Sequence, residues 1–208
     1  MARSDVQLML EAKAGDNTSF ELLLQRYRTP LVNFLSRMVR DRATAEDLSQ
    51  EVFIRVYRAR GTYAPSAKFT TWLFRIATNL ALNRIRDTRY HQLEVSLDAP
   101  AEEDGHVMEL PARELRVDQL MVERDRAAMI RKAVEGLPEK QRIAVLLHKY
   151  EEMDYAEIAM VLECSDAALK SLLFRAYETL RVQLAPLVGG AAPPAPAASA
   201  GTGKGRLT

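Results

Sequence analysis

The sequence predicts an all-α protein of two small helical domains joined by a flexible acidic linker. Three observations carry this. Apolar residues recur at intervals of three and four nearly throughout, no stretch reads as a strand or an internal repeat, and a central segment and the C-terminal end lose periodicity altogether. The 208 residues, 48% hydrophobic and 27% charged, can form usable cores and are too apolar for wholesale disorder.

Taken in order, Thr18, Ser19, Phe20 and Glu21 have capping-box spacing. The run Leu22, Leu23, Leu24, Tyr27, Leu31, Val32, Phe34, Leu35 and Met38 then keeps one apolar face. A second helix begins near Thr44 to Asp47, where Glu46 and Asp47 suit the positive end of a helix dipole, and it stops before Gly61. After the turn-like Tyr63, Ala64, Pro65 and Ser66, a third runs from about Thr70 to about Tyr90. Residues 1–91 are therefore expected to form one helical domain. Residues 92–120 contain Ser96 to Pro100 and the acidic Glu102, Glu103, Asp104 and Gly105, and are expected to be a flexible linker.

Helical spacing resumes at Met121 and breaks at Gly136, and Pro138 suits the first turn of a helix ending near Tyr150. Asp154 can cap a short helix over Tyr155 to Leu162. A tight turn at Glu163, Cys164 and Ser165 leads to a last helix from Asp166 to Leu184, stopped by Pro186. Residues 121–185 form the second expected domain, and the Ala, Pro and Gly of residues 186–208 predict a disordered tail.

The formal net charge is +1, which at first sight argues against a nucleic-acid partner. Its distribution argues otherwise. Residues 52–91 hold 8 basic and 1 acidic side chain, whereas residues 92–126 hold 4 and 10. Opposite blocks cancel in the total and need separate explanations. The single cysteine, Cys164, rules out an intramolecular disulfide. With no signal-peptide pattern and no unbroken apolar span, the expectation is a soluble, cytoplasmic chain.

Catalytic chemistry is thinly represented. His91, His106 and His148 lack neighbours at metal-ligand spacing, and Cys164 fits a small packing residue better than a nucleophile. No enzyme active site, metal or cofactor is expected. The third helix says more: Leu73, Ile76, Ala77 and Leu80 make its apolar stripe, while Arg75, Asn79, Asn83 and Arg86 align on another face. Asparagine is a poor helix former, so two of them in register with two arginines suit hydrogen bonding to a ligand. Tyr63, Phe69 and Trp72 interleave with Lys68 and Arg75, a pattern suited to unstacked bases. The same residues also fit a solvated basic face with Phe69 and Trp72 in the core.

On the second helix Glu46, Asp47, Gln50 and Glu51 gather before Phe53, Ile54 and Tyr57, which by itself fits solvated acids at a helix N-terminus. Near the C-terminal end, Tyr155 to Ala159 with the turn at Cys164 and Ser165 has the form of a helix-turn-helix. The early exposed positions of its second helix would be Lys170, Ser171, Phe174 and Arg175. A plain helical hairpin fits that pattern too.

Four blocks in one order, Ala45 to Phe53, Phe69 to Asn79, Leu137 to Arg142 and Asp154 to Ala159, resemble the sigma-70 family and within it the small extracytoplasmic-function class. The resemblance spans residues 5–185. It implies a region-two domain in which Asp47, Gln50, Glu51 and Phe53 dock on the β′ clamp of core RNA polymerase. It also implies that Tyr63, Lys68, Trp72, Arg75, Asn79, Asn83 and Arg86 meet the promoter −10 element. Region four would pack on the β flap and meet the −35 element through Lys170, Ser171, Phe174 and Arg175. The linker would thread toward the RNA exit path, and an anti-sigma factor would be a further partner.

This sequence departs from the class at Ala167 to Leu172, and at Tyr177, where an arginine is common. A stand-alone helix-turn-helix regulator is the alternative. It leaves the aligned Arg75, Asn79, Asn83 and Arg86 unexplained.

Overall fold

The computed structural model describes residues 3–95 and 117–188, with side chains described over residues 3–90 and 123–187. The predicted linker centre and tail lie outside the described residues. Eight α-helices and no strand occur among those described: α1 (Asp5–Lys13), α2 (Asn17–Val39), α3 (Arg42–Ala59), α4 (Phe69–Val95), α5 (Val117–Glu135), α6 (Glu139–Lys149), α7 (Tyr155–Leu162) and α8 (Asp166–Gln183).

Helix starts are set by side-chain oxygens that accept otherwise orphaned backbone N–H groups. Ser4 caps α1, Asp16 caps α2, Asp41 caps α3 and Ser165 caps α8. The predicted box at Thr18 and Glu21 is therefore not the start of α2. Asp16 accepts from Thr18 N at 3.0 Å and opens the helix earlier, because a carboxylate is available before the threonine. For the same reason α3 starts at Arg42 under Asp41, which places Glu46 and Asp47 beyond its first turn. At α7 the predicted cap holds, with Asp154 accepting from Glu157 N at 2.9 Å, and the structure adds a reciprocal bond in which the Glu157 carboxylate accepts from Asp154 N at 3.0 Å. Helices α4 and α5 extend further into the predicted linker than expected, to Val95 and from Val117.

Helices α1 to α4 wrap a core that includes Leu8, Met9, Leu23, Leu31, Phe34, Leu35, Val52, Val56, Phe69, Leu73 and Phe74. Phe34 and Phe74 meet edge to face at 5.2 Å. Helices α6 to α8 bury Ile143, Leu146, Leu147, Ile158, Val161, Leu169 and Leu173, with Ala159 and Ala176 small enough to let helices approach closely. The two units pack on each other, α7 against α4 and α6 against α2.

Candidate nucleic-acid interface

Helix α4 turns Leu73, Phe74, Ala77 and Ala81 into the core and leaves Arg75, Asn79, Asn83 and Arg86 exposed. The structure thus brings together the four residues aligned in the sequence. The rings separate differently. Phe69 is core, tilted against Tyr27 at 5.4 Å, and only Trp72 is half-buried and reaches the surface. Tyr63 is 5% exposed and packs on Trp72 at 5.2 Å, so in this conformation its ring supports Trp72 and does not face solvent. Burial pushes the Tyr63 phenol above its ordinary pKa. Lys13 Nζ donates to the Tyr63 carbonyl at 2.8 Å and ties the loop before α4 to α1.

Lys68 does not stand free beside this face. Its ammonium lies 3.0 Å from Glu157 and 3.9 Å from Asp154, both in the second unit. The hydrogen bond and charge of Glu157 hold the ammonium above the usual lysine range.

On α3, Asp47 and Gln50 are exposed, and half-buried Glu51 pairs with Arg55 at 2.7 Å. Phe53 is only 7% exposed. It helps line a groove of about 960 Å³ between α2 and α3, with Phe20, Leu24, Val32, Gln50 and Ile54. Its ring is therefore part of the groove wall and not a projecting knob.

The turn between α7 and α8 is made by Glu163 in the left-handed conformation, φ 50°. Leu169, Leu173 and Ala176 anchor α8, while Lys170, Ser171, Phe174 and Arg175 share its exposed side. Phe174, 68% exposed, is an apolar ring presented to solvent on a helix of this kind. Tyr177, the departure from the family pattern, has a structural partner: its hydroxyl lies 2.6 Å from His148 Nδ1, which joins α8 to α6.

The first part of the chain, residues 23–90, matches the family model "Sigma-70 region 2", and residues 127–180 match "Sigma-70, region 4". The RNA polymerase sigma-H factor of Pseudomonas aeruginosa is 34% identical over 88% of this chain and 95% of its own length. The chain belongs to the sigma-70 family. The ECF RNA polymerase sigma-E factor of Escherichia coli K12 is 30% identical over 89% of this sigma factor and 96% of its own length, which places the protein in the extracytoplasmic-function class.

Solved structures that share the fold include the following two. CnrH, solved in complex with the cytosolic domain of CnrY, aligns at TM-score 0.61 and 22% identity over 86% of this sigma factor and 96% of its own chain. The sigma factor RpoE of Bartonella quintana, solved with the anti-sigma factor NepR, aligns at TM-score 0.64 and 20% identity over 80% and 96%.

Sequence reasoning missed the contacts of five residues of this sigma factor that the geometry singles out. Thr71 and Glu157 meet across the two units, Tyr177 pairs with His148, and Arg142 is buried with its guanidinium donating to Glu135 O at 3.2 Å and Met38 O at 3.5 Å. Glu157 carried a signal, its capping-box position. The same carboxylate also reaches the neighbouring unit, which spacing along one chain does not reveal.

Proposed function

We propose that this sigma factor acts by binding and not by catalysis: it docks on core RNA polymerase, recognises the −10 and −35 promoter elements and promotes DNA melting. The observation that carries the reading is the exposed register of Arg75, Asn79, Asn83 and Arg86 on α4, beside the half-buried ring of Trp72. Cations at that spacing suit backbone phosphates, and asparagine amides suit base edges. An unpaired base held against Trp72 would offset the few kcal/mol lost on unstacking, so that a melted strand is captured as it opens. Lys68 and Tyr63 are assigned to the same −10 surface, Tyr63 as a support for Trp72.

Residues 1–91 act in this reading as region two and residues 121–185 as region four, with residues 92–120 as the acidic linker. Asp47 and Glu51 on α3, with Gln50 and Phe53 lining the α2/α3 groove, fit the β′ clamp. The groove supports this assignment because it offers apolar surface edged by polar and charged side chains of both signs, Glu21, Glu46 and Gln50 with Arg28, Arg42 and Arg58. Lys170, Ser171, Phe174 and Arg175 on α8 are assigned to the −35 element while the second unit packs on the β flap. An apolar ring such as Phe174 suits a thymine methyl group in the major groove.

An anti-sigma factor is a further partner in this reading. No helix of the described residues is long and apolar enough to cross a membrane. Run-off transcription with purified core polymerase on −10/−35 templates tests the whole: stimulated, promoter-dependent initiation is expected, and either no stimulation of initiation or no co-elution with core overturns it.

A further inference from the structure

The helix-turn-helix is far poorer in positive charge than the segment that carries α4. Over residues 155–183 it holds Lys170, Arg175 and Arg181 against Glu157, Glu163, Asp166 and Glu178, a net charge of −1, whereas residues 52–91 hold 8 basic and 1 acidic side chain. Its three cations are not equally free. Arg181 pairs with Glu178 at 2.9 Å, which leaves Lys170 and Arg175 as the α8 cations with no internal partner among the described residues. Hydroxyls of the same helix are engaged inside the protein: Ser171 Oγ donates to Ala167 O at 3.0 Å, Thr179 Oγ1 donates to Arg175 O at 3.0 Å, and the Tyr177 hydroxyl lies 2.6 Å from His148 Nδ1. Glu163 and Asp166 stand exposed at the end of α8 that a helix-turn-helix presents to the major groove.

We propose that region four of this sigma factor is chiefly an anchor on polymerase and that promoter choice falls on α4, so that the promoters it serves are defined by the −10 element and vary widely at −35. The inference rests on the promoter-facing assignments made above. Holding the DNA backbone and reading its bases draw on different contacts. A cation neutralises a phosphate or forms a bidentate pair with guanine, and Lys170 and Arg175 cannot do both at once. Of the other exposed side chains in the first half of α8, Ala167, Ala168 and Phe174 offer a thymine methyl group apolar contact and no hydrogen bond. With two phosphates neutralised at most, α8 adds about 2 to the slope of log affinity against log salt concentration, and the acids beside it oppose the approach of DNA. Helix α4, by contrast, sets two arginines and two asparagine amides in one exposed register.

The test uses the full-length chain with core polymerase and a pool of linear templates in which the −35 and −10 elements are both randomised and each template carries a transcribed barcode. Barcode enrichment is expected to depend on the −10 sequence at least about tenfold more strongly than on the −35 sequence. An equal or stronger dependence on −35 overturns the inference and leaves the function in place, whereas no transcription above that of core alone overturns the functional reading itself. A second chain, Ala167→Lys with Glu178→Gln, adds a cation at an exposed position of α8 and releases Arg181. It is expected to steepen the salt dependence of open-complex formation by about 2 in log–log slope and to raise the −35 dependence at least about threefold over the wild type. A −35 dependence that stays at the wild-type level in that chain, with helix content unchanged by circular dichroism, overturns the inference.

Discussion

At the scale of single residues, Asn79 and Glu51 divide the two binding tasks. Asn79→Ala is expected to weaken promoter opening more than binding to core, and Glu51→Ala the reverse. Permanganate footprinting against co-elution with core distinguishes them, and equal effects on both would count against the assignment. Tyr177 separates family resemblance from local need. Replacing it by the commoner arginine removes the 2.6 Å contact to His148 and places a cation near Lys149. Tyr177→Arg is therefore expected to cost the second unit about 1–2 kcal/mol in denaturant unfolding and to gain nothing in −35 binding.

Glu151 adds a pH dependence. Burial pushes its carboxyl up to about 7, against the opposing pull of Arg37. Below the ordinary carboxyl value the group is protonated in both folded and unfolded chains and costs nothing. As pH rises to about 7 the unfolded chain ionises first, so stability is lost across that window. Glu151→Gln is expected to flatten this part of the stability profile, read as the denaturant midpoint at pH 5 and pH 8. Aligned residues such as Arg75 and Asn79 were legible in the sequence because helical spacing alone puts them on one face. The burial of Tyr63 and Phe53 was not, because which side of a ring meets the core depends on neighbours distant in the chain.

At the scale of elements, turns and caps decide where helices begin. Where an acid directly precedes a short apolar run, as Asp154 precedes Tyr155 to Leu162, the helix start was legible. Where Asp16 and Thr18 competed, spacing favoured the threonine, whereas the carboxylate made the bond. Between α1 and α2, Gly15 has φ +107°, with open space where a Cβ would stand. The strain of a side chain there would be conformational and not steric. Gly15→Ala is expected to lower stability by about 1 kcal/mol, visible as a lower thermal midpoint with an unchanged circular dichroism spectrum. The helix-turn-helix was legible from Tyr155 to Ala159, since the short apolar helix, the tight turn and the small Ala159 all point the same way.

At the scale of the molecule, the sequence presents two charge blocks and the structure shows how cations of the first unit are used. Partitioning the net charge of +1 exposes a basic segment, but nothing in residue spacing says that Lys68 and Arg89 meet Glu157 and Glu139. Such pairs join residues far apart in the chain and depend on how the second unit sits. The sequence therefore made the separate surfaces legible and left their mutual arrangement unread.

One end of that arrangement is built differently. Arg40 and Arg142 both donate to the Glu135 carbonyl at the end of α5, and Arg142 also donates to the Met38 carbonyl near the end of α2. Peptide carbonyls do not titrate, and they sit at the negative ends of helix dipoles. The corner at the α2 and α5 termini is thereby joined through peptide carbonyls and the side along α4 through carboxylates, so added salt is expected to weaken the α4 side first.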